Sequence, residues 1–187
     1  MESLFDTWCR RDPNWETRYQ ESVIDVFCDY GKGRTSLQAA RGKYFGAGYE
    51  IFIIAFFIGL YYNQTKPLVE DKAKLKHFGW PIQKWGNLEC RNGRTPYAKI
   101  QKFIFAALVA RTDIDLIALD KGKTTTRKVV DMLMEKMEQY ANFGFSFIAE
   151  KMEDDPNYFF KETAFLHLFL SFLPKDEEHD ESELEEL

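Results

Sequence analysis

Residues 51–60, IFIIAFFIGL, form an unbroken apolar run bracketed by Glu50 and Gln64. The run constrains the fold more than any other feature of the chain. A membrane helix needs roughly 20 apolar residues, and a stretch of roughly 10–14 reads as a buried core helix. The run is therefore expected at the centre of a globular core, in a helix from about Gly48 to Tyr62. The N-terminal stretch MESLFDTWCRR has no apolar signal-type region, which points to a cytoplasmic protein with no membrane partner.

Helix punctuation is frequent elsewhere. Asp12-Pro13 reads as an N-cap and first-turn proline, followed at helical spacing by Trp15, Tyr19, Val23, Val26, Phe27 and Tyr30 up to Gly31. Residues 31–48 are glycine-rich and cationic and read as a loop. Thr95-Pro96 opens a helix with Ile100, Phe103, Ile104, Ala107 and Leu108 on its inner face. Residues 113–121 read as a short helix ended by Gly122. Thr124 to Thr126 cap a long helix to about residue 153, with Val130, Met134, Met137, Ala141, Phe145, Ile148 and Met152 as its apolar stripe. Asp155-Pro156 is read as the start of a last helix, ended by Pro174.

No stretch sustains a strand period. Residues 69–95, with Gly79, Pro81, Gly86 and Gly93, read as an irregular segment or a short hairpin. The expected architecture is mainly α: a single-domain helical bundle over residues 1–174 around the buried apolar helix, with an acidic tail at 175–187.

Charge is distributed unevenly. The net charge is −5, but residues 31–111 hold 14 Lys and Arg against 4 Asp and Glu, while residues 112–187 hold 8 against 19. Lys32, Arg34, Arg41 and Lys43 lie in a segment with no acid between residues 31 and 49. Glycine lets backbone approach phosphates, and cations there release counterions on binding. These four are the candidate nucleic-acid-binding residues. The competing reading pairs them with the acidic ends or with a partner protein.

No reaction is displayed. GKGRTS lacks the spacing of a phosphate loop, and GKYFGAG lacks the strand–loop–helix context of a dinucleotide site. The three histidines, His77, His167 and His179, have no metal spacing, and His167 reads as a core residue. Cys9, Cys28 and Cys90 are widely separated and read as buried thiols. No cofactor and no metal site is expected.

Two segments together are distinctive. The first is YFGAGYEIFIIAFFIGLYYNQTKPL, and the second is MEKMEQYANFGFSFIAEKM, with Tyr140-Ala141-Asn142 and Gly144 in an amphipathic stretch. In this order they resemble the small proteins associated with Dnd-type DNA phosphorothioation and restriction clusters. The similarity spans residues 44–152, and Phe143 stands where such proteins more often carry glycine. The resemblance implies a bacterial accessory protein beside a DNA-defence system and supplies no catalytic residues. Read from the residues alone, Ala141 and Gly144, three apart, favour close packing of another helix.

The combined expectation is a non-enzymatic accessory or adaptor protein acting on other proteins of a defence cluster, with the DNA backbone as a second contact. A hydrolase or nuclease-like enzyme with unrecognised carboxylates and a purely structural subunit are the alternatives.

Overall fold

The computed structural model describes residues 3–28, 45–86, 96–161 and 163–173. Its elements in chain order are α1 (Leu4–Cys9), β1 (Asn14–Glu16), a π-helical turn (Gln20–Ile24) running into α2 (Asp25–Phe27), α3 (Gly48–Tyr62), β2 (Leu75–His77), α4 (Ala98–Arg111), α5 (Leu116–Asp120), α6 (Thr126–Asp154) and α7 (Ala164–Leu170). Short 3-10 turns lie at Lys72–Lys74, Ile82–Lys84 and Tyr158–Phe160. The chain is mainly helical, with one two-stranded sheet among the described residues.

The apolar run lies within α3, as its length requires. Apolar residues surround this helix on all sides, so it has no solvent face over most of its length. Glu50 stabilises the start by reaching back to the backbone N–H groups of Gly46 (2.6 Å) and Ala47 (3.3 Å). Asn63 ends the helix in the left-handed region at φ 50°, while the Gln64 N–H returns to the Gly59 carbonyl at 3.0 Å. Among the described residues no helix is long and apolar enough to cross a membrane.

The second large element, α6, begins where the threonine run places it. Thr125 is the N-cap, and its hydroxyl accepts from the Lys128 N–H at 3.3 Å. The stripe from Val130 to Ile148 is buried, and Met152 is half-buried at its end. Helices α3 and α6 pack antiparallel, with Ala55 against Gly144 and Gly59 against Tyr140. Trp8, Trp15, Phe27, Phe78, Ile82 and Trp85 close the core around this pair.

Four expectations are corrected. Asp12-Pro13 does not open a helix. The Asp12 carboxylate instead accepts from the Phe78 N–H at 3.3 Å, and residues 14–16 pair antiparallel with residues 75–77. Tertiary pairing overrides the local helix signal here. Trp15, Tyr19, Val23 and Phe27 are nevertheless all buried, because the π-turn keeps the later three on one face. The strand β2 finds its partner some 60 residues earlier in the chain; otherwise residues 69–86 are the irregular segment expected, with two 3-10 turns, and residues 87–95 lie outside the described region.

The inner face of α4 is rotated from the expected one. Phe103 is 68% exposed, and Gln101 takes the inner position, its amide donating to the Ile82 carbonyl at 2.8 Å. An unpaired buried carbonyl costs more than one exposed ring. Beyond α6, Asp155-Pro156 does not start the last helix. Asp155 is spent as the C-cap of α6, and its carboxylate accepts from the Asn157 N–H at 3.0 Å. The chain turns through 158–160 before α7. His167, on α7, is exposed and meets Thr163 Oγ1 at 3.4 Å, so it is not a core residue.

Candidate functional site

Backbone meets backbone where α3 crosses α6. A Cβ placed on Gly144 would overlap the Ala55 carbonyl and sit 2.6 Å from the Ala55 Cα; one on Gly59 would sit 3.0 Å from the Tyr140 Cα and overlap its carbonyl. Ala141 beside them is fully buried. Both helices therefore present small residues where the backbones meet.

Beside the crossing lies a buried polar network. Glu16, at the end of β1, is 2% exposed. Its Oε1 accepts from the Val69 N–H at 3.0 Å and from Asn142 Nδ2 at 2.9 Å, and the Arg18 guanidinium pairs with Oε2. Asn142, also 2% exposed, extends its Nδ2 to the carbonyls of Lys66 (3.2 Å) and Pro67 (2.9 Å) as well. The Lys66 N–H donates to the Gln139 carbonyl at 3.0 Å. Lys66 Nζ donates to Ser146 Oγ at 2.7 Å, and that hydroxyl donates to Glu150 at 2.8 Å. Tyr19 lies against Ser146, with its ring stacked on Phe145 at 5.3 Å, and burial pushes its phenol pKa up.

This network ties the irregular strap 65–69 to α6. Backbone groups in a segment without regular structure need partners, and Asn142 and Glu16 supply them. Residues 44–68 and 134–152 thus touch each other twice, through glycine contacts and through Asn142. A lysine–serine–glutamate chain also invites a catalytic reading. Ser146 sits inside α6, however, where backbone N–H groups are consumed by the carbonyls four residues earlier. The arrangement positions the strap.

A second polar contact anchors β1 to α6. Glu138 accepts from the Asn14 N–H at 2.8 Å and from its Nδ2 at 3.0 Å, while Arg11 pairs with Asp131 at 2.7 Å. Burial raises the Glu138 pKa against the downward pull of the Asn14 bonds and Arg11, and it raises that of Asp12 likewise. A raised carboxyl pKa means that the ionised form is penalised in the fold. Its contribution is full below the unfolded value and is lost as pH rises through the folded one. Glu138→Gln keeps an acceptor for Asn14 and carries no charge. It is expected to melt above the wild type at pH 7, with the gap closing toward pH 4. A gap that is constant with pH, or reversed at pH 7, would contradict this account.

The four cations Lys32, Arg34, Arg41 and Lys43 lie outside the described residues, as do Arg91, Arg94, Cys90, His179 and the 175–187 tail. Of the remaining basic middle, Lys66 is held by Ser146. Lys72, Lys74, Lys76 and Lys84 are exposed, but most have partners within the chain. Lys74 pairs with Asp71 at 3.7 Å, Lys76 reaches Gln20 at 3.4 Å, and Lys84 lies over Trp80 at 5.7 Å. Cys9 and Cys28 are buried, and burial, helped by Asp6, raises the Cys9 pKa to about 11. Such a thiol is unreactive at neutral pH. No group of His, Cys, Asp and Glu that would hold a metal occurs among the described residues.

One surface went unnoticed in the sequence. Leu166 and Leu170, one turn apart on α7, are 56% and 49% exposed, and Leu173, three residues beyond the end of the helix, is 52% exposed. On the same end of the molecule, exposed Tyr61 stacks on Phe172 at 5.0 Å and meets Phe169 at 5.9 Å; exposed Tyr62 meets Phe147 at 5.2 Å. FLHLFLSF reads as a core helix because both its faces are apolar, and that pattern conceals an outward stripe. No family model matches the chain, and neither the curated proteins nor the solved structures include a significant match.

Proposed function

We propose that the protein is a non-catalytic adaptor that docks a partner protein on the leucine face of α7 and the tyrosines at the end of α3. The exposed stripe Leu166, Leu170 and Leu173 carries this reading. A monomeric protein rarely leaves a contiguous apolar patch in water, and such patches mark interfaces. The one-turn spacing of Leu166 and Leu170, continued by Leu173 in the turn after the helix, suits an apolar segment laid alongside α7. The stripe bears no charge, so the occupant is an uncharged apolar face; the adjoining tyrosines offer hydroxyls at the rim, as interfaces commonly do.

The setting follows from the resemblance of residues 44–152. The partner would be another protein of a DNA phosphorothioation or restriction cluster. DNA phosphates remain a second contact through Lys32, Arg34, Arg41 and Lys43. The partnering of the exposed lysines within the chain favours protein contact over phosphate contact for the segment 66–84.

The test is co-expression with the products of such a cluster and purification through a tag on this chain. The double variant Leu166→Asp, Leu170→Asp is expected to lose the co-purifying partner while keeping its melting temperature, because both side chains already face water. Retention of the partner by the variant overturns the docking surface. Hydrolysis of DNA or ester substrates by the purified chain with a divalent metal overturns the non-catalytic reading.

A further inference from the structure

Trp8, Trp15 and Trp85 are core residues, at most 3% exposed. Trp80 is 39% exposed, on a loop that is tied down on both sides of it. The Asp12 carboxylate accepts from the N–H groups of Phe78, Gly79 and Trp80, the first at 3.3 Å. Gly79 takes φ 74°, which costs glycine little. Trp85 Nε1 donates to the Trp80 carbonyl at 3.2 Å, and Pro81 fixes the next step of the chain. The indole is thus held toward water by its own loop. The chain around it is basic: residues 72–111 hold nine Lys and Arg against one acid. Lys84 Nζ lies 5.7 Å from the Trp80 ring centroid. Helix α4 joins the same loop, where the Tyr97 N–H donates to the Trp85 carbonyl at 2.9 Å and the Gln101 amide to the Ile82 carbonyl at 2.8 Å. Lys99 and Lys102, before and after Gln101 in α4, are exposed and have no hydrogen bond or ion pair among the described residues.

We propose that Trp80 is a stacking platform for a base of single-stranded nucleic acid, with Lys84, Lys99 and Lys102 meeting the flanking phosphates. Every base has a π-face, so an aromatic ring beside cations binds single strands with little regard to sequence. A duplex hides its base faces and cannot use the ring. Lys74 and Lys76 are engaged by Asp71 and Gln20, so the phosphates fall to the other three lysines. The partner of Lys84 is the ring itself, and a stacked base would turn its ammonium outward to the adjoining phosphate. Holding the indole in place beforehand lowers the ordering cost of binding. Single-stranded DNA and RNA both offer this chemistry. The proposal stands on different residues from the adaptor surface and does not depend on it.

The experiment titrates the full chain into fluorescently labelled strands of about 12 nucleotides and reads anisotropy at several salt concentrations. The strands are oligothymidylate, oligouridylate, an abasic deoxyribose-phosphate strand and a mixed-sequence duplex. Both base-bearing single strands are expected to bind at low salt about tenfold more tightly than the abasic strand or the duplex. Trp80→Ala is expected to remove about tenfold in affinity, and Trp80→Phe to keep most of it. The pair Lys99→Gln, Lys102→Gln is expected to lower the log–log salt slope by about 0.7 for each lysine. All three side chains are exposed, so the variants should fold as the wild type does, which a melting curve checks. Tighter binding of oligothymidylate assigns the site to DNA, and tighter binding of oligouridylate assigns it to RNA. Equal binding of the abasic strand or the duplex, unchanged binding by Trp80→Ala, or no binding of any strand at low salt overturns the proposal.

Discussion

Gly144→Ala is expected to destabilise the protein by about 3 kcal/mol, near the upper end of what overpacking costs. For a chain of this size that is a fall in melting temperature of about 6–12 °C. The sign makes the test decisive. In an unencumbered helix the same change is stabilising by about 1 kcal/mol, because alanine loses less backbone entropy than glycine. Here the new methyl would enter the Ala55 carbonyl, 2.6 Å from its Cα. Backbone cannot yield as a flexible side chain does. Helix α3 is enclosed by aromatic side chains, so it has little room to retreat. Gly59→Ala should behave alike, since its methyl meets the Tyr140 backbone. The double variant should lose less than the sum, because one separation of the helices relieves both clashes. Thermal melts of the three variants check this. A Gly144→Ala protein as stable as the wild type would mean that the helices do not approach as described.

The elements legible in the sequence are those whose signals are local. Helix α3 was visible because nothing polar interrupts it, and its glutamate and asparagine boundaries lie beside it in the chain. Helix α6 was visible because Thr125 and a long stripe agree. The spacing of Ala141 and Gly144 announced small residues on one helix face. It did not say which helix answers, and the reply from Ala55 and Gly59 is a tertiary fact. The three-residue strands were illegible, because a period of two cannot show in so few positions and the pairing joins distant segments.

Asp155-Pro156 misled for a related reason. The same aspartate caps the end of one helix or the start of another, and only the path of the chain decides. Phe103 and Gln101 exchanged places because a carbonyl on another segment needed a donor. Glu16 carried no signal at all. It is one of 30 acids, and acids are almost never fully buried. Asn142 did carry one. A residue of poor helix propensity between Tyr140 and Phe145 in a buried stripe has to be holding something.

What Asn142 holds leads to the other large expected effect. Asn142→Asp changes one group on one side chain, yet it removes both N–H donors from a position facing three acceptors. Those acceptors, Glu16 Oε1 and the Pro67 carbonyl at 2.9 Å and the Lys66 carbonyl at 3.2 Å, would then face a carboxylate. Breaking a buried charged contact in this way costs about 3–5 kcal/mol. The cost depends on pH. Desolvation and Glu16 both raise the pKa of the introduced carboxyl above its unfolded value of about 3.9. When protonated it donates one hydrogen bond and recovers part of the contact. Its contribution is therefore greatest below about pH 4 and is lost as pH rises through the folded value. The deficit relative to the wild type should accordingly be larger at pH 8 than at pH 5. Asn142→Leu removes the donors without adding a second charge, so its deficit should change less between the same two pH values than that of the Asp variant. Denaturant unfolding of the three proteins at both pH values separates the cases. Parallel behaviour of the Asp and Leu variants would show that the amide does not face the Glu16 carboxylate, and the strap 65–69 would then need another anchor.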